Sequence, residues 1–188
     1  MKCAIIGSGS SVKDFNFKSI EGFYIIGVNL GIRLHPCDAM VFLDADMVEN
    51  HSDDIVNFPG DIYCSDRASK IIHELNLPVN FISFKNQFNA IATDWVDPII
   101  GMMSGLAALN IALLLGYKEI YLIGYDLYPG HMFEHEYEKK GRCSDQTYAH
   151  DWTMNKIVNK FELFKDADAK IYNCNPHSRI KTFPFQIP

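Results

Sequence analysis

The sequence predicts an α/β fold, a single doubly wound and mostly parallel sheet with helices on both faces. Three observations predict it. Short apolar runs of strand length alternate with longer runs of helical pattern along the whole chain. Several of the short runs are apolar at consecutive positions, the mark of a strand buried on both faces. These runs then end in Gly, Asn or Asp, at the place where open α/β sheets keep their ligands.

The stretch 101–130, GMMSGLAALNIALLLGYKEIYLIGYDLYPG, shows the unit most fully. Positions 106–115 are rich in Ala and Leu and predict a helix that buries most of its surface. Ser104 and Gly105 stand where an N-cap belongs, and Gly116 where a left-handed C-cap belongs. The apolar run 120–124 predicts a central strand that issues into Tyr125, Asp126 and Tyr128. A carboxylate and two phenols thus stand at the carboxyl end of a buried strand.

The other elements follow in order. Positions 3–9 predict a first strand entering the loop GSGSS, whose backbone N–H groups can approach a phosphate or a ribose. Gly7, Ser8, Gly9 and Ser10 are the candidate contacts, although the third glycine of a dinucleotide fingerprint is missing. A second strand over 23–29 ends in Asn29, a turn former or a ligand contact. A third, over 39–46, ends in Asp44-Ala-Asp46. Two carboxylates so placed hold Mg²⁺ or Mn²⁺ against a diphosphate, or else start a helix whose dipole favours Asp46. Helices are expected over 51–57 and 68–75, strands over 61–64 and 79–84, and a loop over 85–98. His51 and His73 read as solvated on polar helix faces, and Asn86, Gln87, Thr93 and Asp94 could line the mouth of a pocket. An amphipathic helix over 153–164 points Ile157, Phe161 and Phe164 inward, and a last strand over 169–174 leads to Asn175-Pro-His-Ser178.

Between 129 and 152 the composition turns polar, which reads as a lid or substrate loop after a site-bearing strand. His131, Glu134, His135 and Glu136 in it fit no usual metal-ligand spacing. One domain, 1–188, suits the length. A net charge of −6 argues against a nucleic-acid polymer as partner. No apolar run reaches a membrane-spanning length of roughly 20 residues. Five scattered cysteines without CxxC spacing read as reduced thiols in a cytoplasmic protein.

The run from Ser104-Gly105 through Gly116-Tyr-Lys-Glu-Ile-Tyr-Leu122 to Gly124-Tyr125-Asp126-Leu127-Tyr128 resembles the bacterial lipooligosaccharide sialyltransferases, glycosyltransferase family 42. The match is specific over about thirty residues and thinner elsewhere. The resemblance implies a Rossmann-like sheet of the GT-A-type variant that binds a nucleotide-activated sugar, CMP-sialic acid or a related donor. It implies donor contacts from the glycine loop, Asn29, Asp44, Ser104, Gly105, Asp126, Asn175 and Ser178. It also implies inverting transfer to a glycan or other small acceptor, with a histidine of the polar insertion as base and tyrosines at the leaving phosphate. His150 and Tyr128 match those roles, while Tyr137 and Tyr148 compete for the second tyrosine. The family has Asn where this chain has Ser8 and Asp44, and it uses no metal because its donor carries one phosphate. If Asp44 and Asp46 hold Mg²⁺ or Mn²⁺, the alternative is a pyrophosphokinase or nucleotide hydrolase. A binding module that keeps the pocket without the chemistry is the non-enzyme reading, and homo-oligomerisation is left open.

Overall fold

A computed structural model describes residues 1–128 and 151–188, and of residues 151–154 the backbone alone. The strands are β1 Lys2–Ile6, β2 Tyr24–Val28, β3 Ala39–Phe42, β4 Asp61–Ser65, β5 Ile82–Phe84, β6 Asn86–Gln87, β7 Ile99–Ile100, β8 Glu119–Ile123 and β9 Lys170–Asn173. The helices are α1 Ala45–Asn50, α2 Ser52–Val56, α3 Asp66–Glu74, α4 Ser104–Leu114 and α5 Asp151–Lys160. Seven strands form one sheet in the order β5-β4-β3-β2-β1-β8-β9, and every pairing in it is parallel. β6 and β7 pair separately, in parallel, Asn86 with Ile99 and Gln87 with Ile100.

The strand order sets the place of function. From β1 the chain winds outward through β2 to β5, then returns to lay β8 on the other side of β1. The chain therefore leaves β1 and β8 toward opposite sides of the sheet, and such a switch point is where open α/β sheets bind ligands. Both faces of the sheet are covered, as expected. On one face α4 packs across β1, β2 and β3, and Phe161, Phe164 and partly buried Ile157 close the layer. On the other, α1, α2 and α3 pack on β3 and β4 through Met40, Phe42, Ile55, Ile62 and Ile72. Short 3-10 turns at Ser10–Asp14 and Phe17–Ile20 cover β1 and β2 there.

Several local expectations shift, each for a stated reason. α4 begins at Ser104 rather than after it, with Met103 at the N-cap and no capping side chain. Ser104 is not free to cap because its Oγ accepts from Leu43 N at 3.2 Å, which ties the helix start to the end of β3. Gly116 does adopt the left-handed conformation, at φ +85°. The segment 85–98 is anchored rather than a plain loop, since β6 and β7 clasp its base. Strand β5 begins three residues later than the expected run, and the helix expected over 51–57 is α2, Ser52–Val56, which His51 separates from α1. That residue corrects an expectation. His51 is buried, at 8% exposure, with Nδ1 3.9 Å from the Asp54 carboxylate, whereas His73 is exposed as read.

Burial sets a pH limit on this fold. It pushes the Cys37, Cys64 and Cys174 thiols from 9.0 up to about 12, and the Cys3 thiol higher. A folded-state value above the unfolded one means that the folded chain holds the proton more tightly. That stability is complete below the unfolded value and is lost as pH rises through the folded one. Melting temperature should therefore hold steady between about pH 7 and 9 and fall steeply from there toward 12, which calorimetry across that range would check.

Candidate functional site

The carboxyl end of the sheet is assembled around one buried carboxylate. Asp126 follows β8, is 4% exposed, and reaches two other strand ends. Its Oδ2 accepts from Ser11 N at 2.8 Å and from Ser10 Oγ at 3.4 Å. Its Oδ1 accepts from the Ser11 hydroxyl and from Asn175 Nδ2 at 2.8 Å. Its backbone oxygen accepts from Arg179 N at 3.1 Å. The loops after β1, β8 and β9 are thereby bolted together across the switch point.

Two glycines let the backbones come this close. A Cβ on Gly9 would stand 2.6 Å from Gly124 O and 2.7 Å from the Asp126 carboxylate. Gly124 itself turns at φ +70°, and a Cβ there would stand 2.4 Å from Val12. The chain thus extends the β1–β8 pairing into the loops, with Gly7 N donating to Ile123 O at 2.8 Å and Gly9 N to Gly124 O at 3.0 Å.

Asn29 leaves β2 at φ +50°, a left-handed conformation that a residue other than glycine adopts at a cost. Its Oδ1 is buried without a hydrogen-bond partner. It opens a 3-10 turn, Asn29–Arg33, whose last residue is fixed in turn. Arg33 grips Asp54 through Nε at 3.0 Å and Nη2 at 2.6 Å, a bidentate pair that sets the turn against α2. An amide held left-handed at a strand end, with its acceptor oxygen unused, has the chemistry to accept a hydrogen there.

The remaining expected residues fall into two sets. Ser178 is fully buried, and its Oγ donates to Tyr125 O at 2.6 Å and accepts from Ile180 N at 3.0 Å. Gly105 O accepts from the Tyr125 hydroxyl at 3.0 Å, and burial drives that phenol far above its ordinary range. Ser178, Ser104 and Tyr125 therefore hold the rim together. The outer set faces solvent. Asp44 is exposed at the end of β3 and makes no capping bond, while Asp46 sits half-buried in the first turn of α1. Tyr128 is 48% exposed, with the Arg179 guanidinium 5.8 Å from its ring centre. Ser8 is half-buried within the glycine loop.

His150, Tyr137, Tyr148 and the histidines and glutamates of the polar insertion lie outside the described residues. Among the described residues no cluster of three His, Cys, Asp or Glu stands where a metal could be held. Asp44 and Asp46 supply at most the one or two carboxylates that Mg²⁺ uses alongside substrate phosphates. No helix among the described residues is long and apolar enough to cross a membrane. Sequence reasoning missed Ser11, Arg179 and Asn110. Ser11 and Arg179 stood one residue beyond named candidates, and Asn110 was a lone amide in an apolar helix.

No protein-family model and no curated protein sequence matches the chain significantly. Solved structures do. The sialyltransferase CST-II, crystallised with a trisaccharide acceptor and CMP, superposes at a TM-score of 0.63 with 20% identity, over 100% of this chain and 86% of that one. A point variant of the alpha-2,3/8-sialyltransferase CstII gives 0.60 and 18%, over 100% of this chain and 87% of that one. The Campylobacter jejuni enzyme with cytidine-5'-monophosphate as substrate analogue gives 0.53 and 20%, over 100% of this chain and 85% of that one. At such identity the likeness is one of fold, and across its full length this chain has the α/β fold of those sialyltransferases, a seven-stranded parallel sheet flanked by helices.

Proposed function

We propose that the chain is a glycosyltransferase of the sialyltransferase type, which binds a CMP-linked or related sugar donor across the β1/β8 switch point and transfers the sugar with inversion. The observation that carries this reading is Asn29, whose buried Oδ1 lacks a partner while its backbone is held left-handed at the ligand edge of the sheet. A ribose hydroxyl or an exocyclic amino group of the base supplies the hydrogen that this oxygen needs. The fold shared with CMP-bound sialyltransferases supports the same ligand class.

In this reading Tyr128 donates its phenol hydrogen to the oxygen of the departing phosphate, where negative charge develops. His150 removes the proton of the acceptor hydroxyl as that oxygen attacks the anomeric carbon, and an imidazole, with an intrinsic pKa of about 6.5, suits that task at neutral pH. Donor recognition and chemistry are then carried by different residues, so they separate on mutation.

Calorimetry with CMP, UDP and their sugar conjugates tests the reading, and micromolar binding of a cytidine nucleotide is expected. Asn29→Gly relieves the left-handed backbone, so the variant should melt no earlier than the parent while donor binding weakens by roughly tenfold. His150→Ala should keep donor binding and reduce transfer by roughly 10²–10⁴-fold. Absence of nucleotide binding, with or without Mn²⁺, would sink the proposal. Turnover abolished by EDTA would move the donor to the diphosphate class and give Asp44 and Asp46 the metal.

A further inference from the structure

We infer that the rim of the sheet fixes the direction of a bound mononucleotide, with its phosphate held on the β9 side by Arg179 and not in the glycine loop. This inference rests on the nucleotide reading above and adds a site to it. A glycine-rich loop after a first strand invites a phosphate because its backbone N–H groups are free. Here the alternate ones, those of Gly7, Gly9 and Ser11, are engaged. Gly7 N donates to Ile123 O at 2.8 Å, Gly9 N to Gly124 O at 3.0 Å, and Ser11 N to Asp126 Oδ2 at 2.8 Å. The Asp126 carboxylate, buried at the start of the Ser10–Asp14 turn, fills the position an anion would otherwise take. A phosphate brought to that loop would meet a fixed negative charge, with three of the loop's donors already taken.

The charges along the rim complete the argument. At the end of β3 stand Asp44 and Asp46, both acidic. After β9 the segment 175–181, NPHSRIK, carries His177, Arg179 and Lys181 and no acid. Arg179 is the member of that group drawn inward. Its backbone N is tied to Asp126 O, its Nη2 donates to Asn155 Oδ1 in α5 at 2.9 Å, and its guanidinium lies 5.8 Å from the Tyr128 ring centre. Fully buried Ser178, bonded to Tyr125 O, fixes the backbone just before it.

A planar cation beside a phenol offers two kinds of donor to one phosphate. In the sheet, β2, β1, β8 and β9 are successive neighbours. Three strand spacings of roughly 4.8 Å separate the Asn29 end from the Arg179 end, about 14 Å in all. The acceptor Asn29 Oδ1 and the acidic β3 end suit the hydroxyls and amino group of the nucleoside, and the basic β9 end suits its phosphate. The glycine loop then lies under the middle of the ligand as a close backbone floor, with the Asp126 carboxylate bound to its far end.

Calorimetry of CMP against cytidine reads the phosphate contribution directly. The parent protein should bind CMP roughly 10–100-fold more tightly than cytidine. Arg179→Ala should bring that ratio to within about threefold while cytidine affinity stays unchanged. Arg179→Lys should recover part of it, as a point charge without the planar fork. Lys118→Ala removes an exposed positive charge that pairs with Asp168 ahead of β8, at the opposite end of the sheet, and should leave the ratio intact. If Arg179→Ala folds poorly for want of its bond to Asn155, Arg179→Gln keeps a polar group there without the charge and is read by the same ratio. An undiminished CMP preference in these uncharged variants, or a parent that binds CMP and cytidine equally, overturns this inference and leaves the nucleotide reading standing. A parent that binds neither compound overturns both.

Discussion

Replacing Asp126 with Ala is expected to destabilise the protein by about 2–4 kcal/mol, roughly 5–15 °C in melting temperature for a chain of this size. The loss comes from stranded partners rather than from the missing carboxylate itself. Ser11 N and Asn175 Nδ2 each lose their acceptor, and the loops after β1 and β9 lose the bolt between them. Nucleotide affinity should fall with stability, because those loops flank the β1/β8 switch point at which the donor is proposed to bind. Asp126→Asn should recover only about half of the loss, since its single oxygen serves one side and its amide confronts a donor on the other. Paired thermal melts and CMP titrations of the two variants check this. An Ala variant that melts with the parent would mean that the bolt contributes nothing.

A comparable loss is expected from Asn110→Leu, about 3–5 kcal/mol, although that residue is remote from the rim. Asn110 is fully buried in α4. Its Oδ1 accepts from Ala92 N at 2.9 Å and Ile100 N at 3.3 Å, and its Nδ2 donates to Ala92 O at 3.0 Å. Leucine keeps the bulk and leaves three backbone groups unsatisfied inside the core. The segment 86–100 should then open locally before the sheet does, which hydrogen exchange would register as faster exchange there than in β1 or β8. Equal protection of that segment in parent and variant would show that β6 and β7 alone hold it.

Most of the fold is legible in the sequence, because buried parallel strands and an Ala/Leu-rich helix leave strong patterns. The runs at 3–9, 23–29, 39–46 and 120–124 all hold β-strands, and the expected face of Ile157, Phe161 and Phe164 packs inward. Two details are less legible because they depend on partners distant in the chain. Ser104 sits where an N-cap belongs, yet its hydroxyl serves Leu43, 61 residues earlier. His51 lies among polar neighbours, yet the junction of α1 and α2 encloses it.

The site divides in the same way. Residue types at strand ends identify the rim, including Asn29, Asp126 and Asn175. Sequence pattern does not separate residues that face a ligand from residues that face one another. Asp126, Ser178 and Ser104 look like ligand contacts by type, and the structure occupies each with internal hydrogen bonds. Arg179 has no motif to mark it. Its place follows from the backbone bond to Asp126 O and from the ring of Tyr128, 51 residues away in sequence.

One edge of the sheet carries a consequence for how the protein behaves in a crowded solution. Beyond β9 the chain doubles back beside it, with Asn173 N donating to Pro184 O at 3.0 Å, Gln186 N donating to Asn173 O at 3.2 Å, and a parallel bridge between Asn173 and Phe185. This strip covers the Asn173 end of β9 and leaves a short edge, Lys170–Tyr172, to an extended peptide from another molecule. At the far edge β5 runs for only three residues, too short a template for recruiting a neighbour. The seven-stranded sheet is thus protected from seeding intermolecular cross-β growth by its own tail at one margin and by brevity at the other.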